Sequence, residues 1–521
     1  MPLTSGAPGE RCSNRDVLLT QSDVLHPHTD SVTSAPGPAR DSSAPPRNLL
    51  VLSDLHLGSD IGDSPGAPPP ARSESVDSDL CALLDHYREV RADGEPWDLI
   101  INGDFIDFIG MSLDVARASV STEPNAEERA HGLGTAEDHA CIKLARVAER
   151  HRGVFAALSA FVAAGHRLTI VHGNHDREFH WDRVKADLRR LLLSALVSSR
   201  GEAASDAAFH ERIRFSSWFF WVEDVAYIEH GHQYDSFCMT EHVMAPLSPA
   251  DNRRLSSGFS DVLLRFVVHP ILAIRSCDHD RMGLVDYITL AARLGLRGGV
   301  DLASRFVMAI VELFRLRRLY SSDAAAFLRV EHERRLSDFA EAMRIDLKRL
   351  RALVELQARP VTRTIRGILA SVLLDELLLA VLSVMLLFVL GALAFWAHSL
   401  AWACALVPPV WWLGHRYLSR TRSVDPQEEL SARARPLARL FPAAFVVMGH
   451  THVPVRVELD AGGATYVNTG SWAESEGAAP DAPFVHRAAR THLVIRARGT
   501  ASEAELLSWD SKDGPKRFAP A

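Results

Sequence analysis

Cysteine is scarce and unpatterned in this chain. Six are spread over 521 residues (Cys12, Cys81, Cys141, Cys238, Cys277 and Cys404), and no two stand in CxxC spacing. That argues against a zinc knuckle or a disulfide framework and suits a reducing compartment. A basic excess is missing too. The formal net charge is −8, so no nucleic-acid partner is expected. The first residues lack the basic stretch and apolar core of a secretory signal peptide. Between Asp235 and about Leu440 strand patterns are almost absent, and from Leu377 to Ala397 there is no charged residue. What remains is ordinary for a folded protein, with 47% hydrophobic and 23% charged residues. The length suggests two or more domains.

Residues 1–46 are rich in Ser, Pro, Gly, Ala and Asp and read as a disordered leader. Leu49 to Leu52 then form a short apolar run that ends abruptly in Ser53–Asp54–Leu55–His56. This predicts a buried strand with two chemical residues at its C-terminal end. Asp54 and His56 lie two apart, so an extended backbone would point both to one side. Ser59 to Ser78 is predicted to be a mobile loop, and Leu80, Leu83, Leu84 and Tyr87 mark a helix. Further strands are expected at Trp97–Ile101, Arg167–Val171, Phe215–Val222 and Val225–Glu229. Between them lie a polar insertion (114–138), one long helix (about 140–164) and a helix at 181–198. Strands alternating with helices predict an α/β layered domain, first part 47–234.

The segment 235–440 reads instead as helices at 261–274, 284–296, 302–320 and 324–357. Strand signals resume at 443–448, 453–459, 465–467 and 491–496. One α/β domain is therefore expected to be interrupted by a large helical insertion, with its second part at 441–510 and a tail at 511–521. Within the insertion, Leu377–Ala397 has the ~20 apolar residues that cross a bilayer. A second apolar run, Leu400–Leu418, follows and contains Trp402, Trp411, Trp412 and Pro408–Pro409. Arg359, Arg363 and Arg366 precede this pair of runs, and Arg416, Arg420 and Arg422 follow it. Such flanks predict a transmembrane hairpin with both ends, and hence the α/β domain, in the cytoplasm. The alternative is a soluble cap of buried helices. Phe306, Ile310, Leu313 and Leu316 beside Arg305, Arg315, Arg317 and Arg318 could also lay the 302–320 helix on an anionic membrane surface.

The chemistry gathers at strand ends: Asp54 and His56, Asp104, Asn174, His230, and His450 with His452. In open α/β folds such ends share one crevice. Seven oxygen and nitrogen donors are too many for one ion with an open site. They suit two divalent ions bridged by a carboxylate, with Asp104 as the bridge. Without thiolate, the set suits Mn²⁺, Fe or Zn²⁺. Gly103, Gly173, Gly231 and Gly449 adjoin the donors and would let the backbone approach metal or phosphate. His172 and His232 also adjoin them, as candidates for supporting or substrate contacts, whereas His86, His131 and His151 read as surface residues.

These motifs resemble the calcineurin-like metallophosphoesterase superfamily. The matching residues are Asp54/His56, Gly103–Asp104, Gly173–Asn174–His175–Asp176, His230 and Gly449–His450–Thr451–His452. The resemblance covers about 48–233 and 443–472, extending to Trp509. It implies a four-layer αββα sandwich and a hydrolase of phosphoester or pyrophosphate bonds, in which two divalent ions activate a bridging water. It assigns Asp54, His56, Asp104 and His452 to one ion, and Asp104, Asn174, His230 and His450 to the other. His175 becomes the acid at the leaving oxygen, with Asp176 orienting it. The runs Ser53–Gly58 and Gly449–Pro454 are similar to a narrower branch, the UDP-2,3-diacylglucosamine pyrophosphatases. That branch commonly has Arg where this chain has His175, and lacks the apolar insertion. The expected partner is a phosphorylated substrate, which a membrane location would allow to be lipid-linked. A reading from another class is a membrane scaffold whose phosphoesterase fold is inactive.

Overall fold

The computed structural model describes residues 48–59, 61–62, 71–200, 206–271, 284–397, 404–422, 425–459, 463–473, 490–498 and 501–519. The predicted leader lies outside them. The protein is mixed α/β, with two sheets and many helices. The strands are β1 Asn48–Leu52, β2 Trp97–Asn102, β3 Arg167–Val171, β4 Ile213–Ser216, β5 Phe219–Val222 and β6 Ala226–Glu229. They continue as β7 Phe445–Met448, β8 Val455–Glu458, β9 Thr465–Asn468, β10 Thr491–Arg498, β11 Ala501–Asp510 and β12 Gly514–Arg517. One sheet runs β12-β11-β10-β1-β2-β3-β4 and the other β5-β6-β7-β9-β8.

The apolar runs explain the interior strands. A strand's side chains alternate between faces, so a strand covered on both sides reads as continuous Leu, Ile and Val. Leu50 and Leu52 of β1, with Leu99, Ile101, Leu168 and Ile170, face a core completed by Leu83, Leu144, Phe155 and Leu188 of the flanking helices. Leu49, Val51, Ile100 and Val171 turn the other way. They share a second core with Ala226, Ile228, Val447 and Val467 of the five-stranded sheet. The far face of that sheet, through Tyr227, Val446, Met448 and Tyr466, packs on Phe339, Leu350, Leu353, Leu430 and Leu437.

Register brings the chemical ends together. β1, β2, β3 and β4 are mutually parallel, with Leu52 opposite Ile101 and Asn102 opposite Val171. β6 and β7 are parallel neighbours, with Ile228 opposite Val447, although some 215 residues separate them in sequence. Between them, among the described residues, the chain carries helices and a single isolated bridge, Leu247 to Leu255.

Several expectations change in detail. The predicted loop at 59–78 is already helical from Ala71 (Ala71–Glu89), while 60 and 63–70 lie outside the described residues. The long helix at 140–164 is two, Glu137–Arg150 and Arg152–Ala163, broken at His151. That histidine is buried, not a surface residue: its Nδ1 lies 2.7 Å from Asp77 and its Nε2 accepts from the Gly58 amide at 3.2 Å. The single strand at 215–222 is β4 and β5, which belong to different sheets. The 324–357 helix divides into Ala326–Met343 and Leu347–Leu356, because Arg344 adopts a left-handed conformation. The predicted tail contains β12.

The apolar helix is Leu374–Ala397, and Leu374–Leu393 within it is long and apolar enough to cross a membrane. Almost none of that span is buried. The second run is shorter than expected. It forms Val407–Arg422, 16 residues or about 24 Å, with Pro408 and Pro409 in its first turn. Residues 398–403 lie outside the described residues. The two helices pack antiparallel: Gly414 abuts Leu379, and His415 lies 3.4 Å from Glu376. On the helix Gly295–Tyr320, Phe306, Ile310, Leu313 and Leu316 face a core with Phe259, Val262 and Ile368. That face is therefore not the one offered to a surface.

Candidate metal centre

The ligand residues sit in turns that few side chains tolerate. Asp54, His56, Asp104, His450 and His452 all have φ between 46° and 67°. Left-handed backbone in non-glycine residues costs free energy and gathers at functional sites. It also corrects the expected geometry. Asp54 and His56 converge through two left-handed residues separated by Leu55, not through extended backbone. Pairing beyond the strands holds this path: the amides of Asp54 and His56 donate to the carbonyls of Gly103 (3.2 Å) and Asp104 (2.8 Å). The Asp54 carbonyl accepts from the amides of Trp472 (3.1 Å) and Ala473 (2.9 Å), beyond β9.

Overlapping groups result, one of them joining His56, Asp104 and His175. Asp54, His56 and His452 each offer an atom within 4.8 Å of the others, and so do Asp54, Asp104 and His230. Asp54 Oδ1 lies 3.1 Å from His452 Nε2 and 3.9 Å from His56 Nε2. Asp104 Oδ2 lies 3.6 Å from His56 Nε2 and 3.3 Å from His230 Nε2, so one oxygen faces both groups. The other, Oδ1, accepts from the His175 amide at 2.9 Å. Asp104 thus turns one oxygen towards both groups and uses the other within the protein. Asn174 Oδ1 completes the second group, 3.1 Å from His230 Nε2. His230 Nδ1 is fixed 2.9 Å from the Asn102 carbonyl, which leaves Nε2 for a ligand.

His450 stands apart. Its ring contacts His230 (5.3 Å between centroids) and its amide donates to Asp54 Oδ2 at 3.1 Å. Its Nε2 lies 3.0 Å from Asp235, and it groups with Asp235 and Cys238, not with Asp104. Asp235 is a participant that the sequence did not reveal. Nothing in its spacing marks it, because it acts through His450.

Asp107 is the other. Its Oδ1 lies 2.8 Å from His175 Nδ1, and its Oδ2 lies 3.8 Å from His56 Nδ1. The carboxylate that meets the His175 ring is therefore that of Asp107, and not of Asp176. The Asp176 carboxylate instead accepts from the amides of Gly173 (2.6 Å) and Phe105 (2.8 Å), bracing the loop. The available signal for Asp107 was its position three residues after Asp104. His232 lies beside His230 (5.4 Å) and is bonded to Gln233 at 2.9 Å. His172 packs toward Phe179 and belongs to none of the ligand groups.

Gly173 and Gly103 press on ligands, Gly449 lies against Ser53 and Asp54, and Gly231 lies against Leu430. A Cβ on Gly173 would stand 2.1 Å from Asp104 Oδ1, and one on Gly103, whose φ is +79°, 2.3 Å from His230 Nδ1. A buried carboxylate backs the His230 turn. Glu229 accepts from Trp218 (2.8 Å), Tyr227 (2.6 Å) and Tyr234 (2.7 Å), so its polar atoms are matched inside the core.

Charge tells the same story. Burial would raise the Asp54 carboxyl, but His452 and His230 outweigh it and lower it to about 2. Burial would lower His230, but Asp104 and Asp54 push it up to about 9. His175 is likewise raised to about 10, where Asp107 and Asp104 outweigh burial. The Asp54 carboxylate and the rings of His230 and His175 are thus held in their charged forms by opposite charges beside them. Among the candidate ligand side chains, two buried atoms are without a hydrogen-bond partner: His56 Nε2, and Asp54 Oδ1, which is near His452 but not aligned with it. Buried polar atoms are rarely orphaned without reason. Carboxylate oxygens and imidazole nitrogens facing one space fit divalent cations.

A comparison with protein-family models finds no match, and one with curated proteins finds no significant match.

Proposed function

We propose that the chain is a dimetal phosphoester or pyrophosphate hydrolase of the calcineurin-like type, held at the cytoplasmic face of a membrane. In this reading the two sheets and their flanking helices form a four-layer αββα sandwich, and residues 235–440 form an insertion between β6 and β7. The observation that carries the reading is the pair of orphaned buried atoms, Asp54 Oδ1 and His56 Nε2, inside a cluster of ligand-type side chains.

Asp54, His56, Asp104 and His452 would hold one ion, and Asp104, Asn174 and His230 the other. His450 would join through its remaining ring nitrogen, with Asp235 as its support. Two divalent ions there would supply Lewis-acid charge and nucleophile activation at neutral pH. The protein's own residues do the rest. Asp107 engages His175 Nδ1, which leaves Nε2 to deliver a proton to the leaving oxygen. The two carboxylates beside His175 keep its imidazole protonated at neutral pH, the form an acid requires. The Asp104 contact with the His175 amide ties this acid to the bridging ligand.

Membrane attachment rests on Leu374–Leu393, whose apolar side chains are for the most part left uncovered by protein. The test is a screen of the Mn²⁺-loaded protein against phosphomonoesters, cyclic and linear diesters, and nucleotide-linked lipids. Metal-dependent turnover of one class supports the reading. Loaded protein inert towards all of them would favour an inactive scaffold.

A further inference from the structure

A second apolar surface lies on the helix Gly295–Tyr320, opposite the face that packs in the core. Leu296, Val300, Val307 and Val311 follow one another along one side of the helix and are 87%, 61%, 59% and 62% exposed. Met308 adjoins them, and Ile288 on the preceding helix Leu284–Arg293 is exposed as well. Spacings of four and seven residues keep such positions on one helical face. The stripe runs about 22 Å along the axis. Ser304 stands within it, and its hydroxyl donates back to the Asp301 carbonyl at 2.8 Å, so the stripe asks nothing of water.

Charge borders this stripe in a pattern that points to lipid. Asp301 pairs with Arg305 at 2.8 Å along one flank, next to Arg297. Arg315 and Arg318 continue the same face beyond Val311 and are exposed. Residues 284–320 carry six arginines against three acidic residues, in a chain whose net charge is −8. Exposed Arg363, Ile365 and Arg366 stand just before the apolar helix Leu374–Ala397. The two regions are continuous. Leu302, Ala309 and Leu313, on the buried side of the striped helix, share a core with Ile368, Val372 and Leu374 at the foot of the apolar helix.

We infer that the stripe is a second membrane contact, lying in the anionic cytoplasmic interface with its valines in the acyl boundary and its arginines among the headgroups. This rests on the reading of Leu374–Leu393 as a membrane span. It also gives that span a consequence for the site. The striped helix packs on Phe259, Val262 and Phe266. Asp261 of the same turn binds Arg177 at 2.6 Å, and Arg177 Nε donates to the carbonyl of the ligand Asn174 at 3.1 Å. Bilayer contact would therefore brace the element that positions Asn174 and His175.

The test places an environment-sensitive fluorescent amino acid at Val307, or separately at Val384, in the full chain. Each protein is reconstituted in vesicles of phosphatidylcholine with or without phosphatidylglycerol. Lipids carrying quenchers at shallow or deep acyl positions then report depth. The inference expects a blue shift at Val307, quenching by shallow lipids, and a stronger effect with phosphatidylglycerol, with Val384 quenched by deep lipids. Deep quenching at Val384 with an unquenched Val307 overturns the inference and leaves the span intact. No quenching at either position overturns the span as well. A Val307 shift that follows protein concentration, without lipid quenching, would assign the stripe to a second copy of the chain and overturn the lipid contact.

Discussion

The strand-end cluster and the apolar helix reverse the usual arrangement in opposite senses. In the first, Asp54, Asp104, Asn174 and His230 are buried polar residues, nearly closed to solvent. In the second, Phe388 and Phe395 are apolar and exposed at 78% and 79%. A buried polar group costs free energy unless it is matched, and a large exposed apolar surface marks an interaction. In the proposed reading cations complete the cluster and hydrocarbon covers the helix. Substitutions that separate these two needs will show whether they are distinct.

The largest expected effect is at the shared oxygen. Asp104→Asn should lower turnover by roughly 10³-fold or more and weaken both ion sites, while membrane partitioning is unchanged. Steady-state kinetics beside a carbonate-wash fractionation checks both halves. His175→Ala should lose about 10²–10⁴-fold in kcat and keep its metals. Parent-rate hydrolysis of an aryl phosphate by that variant would remove His175 from the chemistry.

The reverse separation comes from the helix. Val384→Lys puts a charge at the middle of the apolar span, at a cost of about 3 kcal/mol to insertion. The membrane-resistant fraction should fall while metal content holds. Asp235→Asn loosens His450 and should weaken metal affinity by about 10–100-fold, read by competition with a chelating dye.

The smallest effect concerns pH. In the metal-free chain, His230 is raised to about 9 and His175 to about 10 from an ordinary 6.5. The stability they contribute is complete below pH 6.5 and is lost as pH rises through 9 and 10. The stripped protein's Tm should therefore fall across that window. Metal binding displaces the His230 proton, so affinity should rise over the same range.

Much of the cluster was legible because short side chains of ligand type end runs of Leu, Ile and Val. Asp54 after Leu49–Leu52 and Asp104 after Leu99–Ile101 stand where strand polarity must change. The supporting groups were hardly legible. Asp107 and Asp235 meet His175 and His450 across the fold, and only the three-residue spacing of Asp107 from Asp104 gave a local hint. The left-handed turns at five ligands were hidden as well: Asp and His enter that conformation more readily than most residues, but the majority of them do not. In the fold, β4 and β5 read as one strand because only Ser216 and Ser217 interrupt the apolar residues from Phe215 to Val222. The passage from one sheet to the other occurs inside that run. The breaks at His151 and Arg344 fell within helical periodicity that neither residue interrupts. On the helix Gly295–Tyr320 apolar residues occupy two faces, and periodicity alone could not say which one faces the core.

The most direct test is the number of ions bound. Protein loaded with Mn²⁺, freed of excess metal and measured by elemental mass spectrometry should hold two ions per chain, and Asp104→Asn should hold fewer than one. A parent protein that retains no stoichiometric metal, or an Asp104→Asn variant that still holds two ions, would contradict a dimetal site at these strand ends.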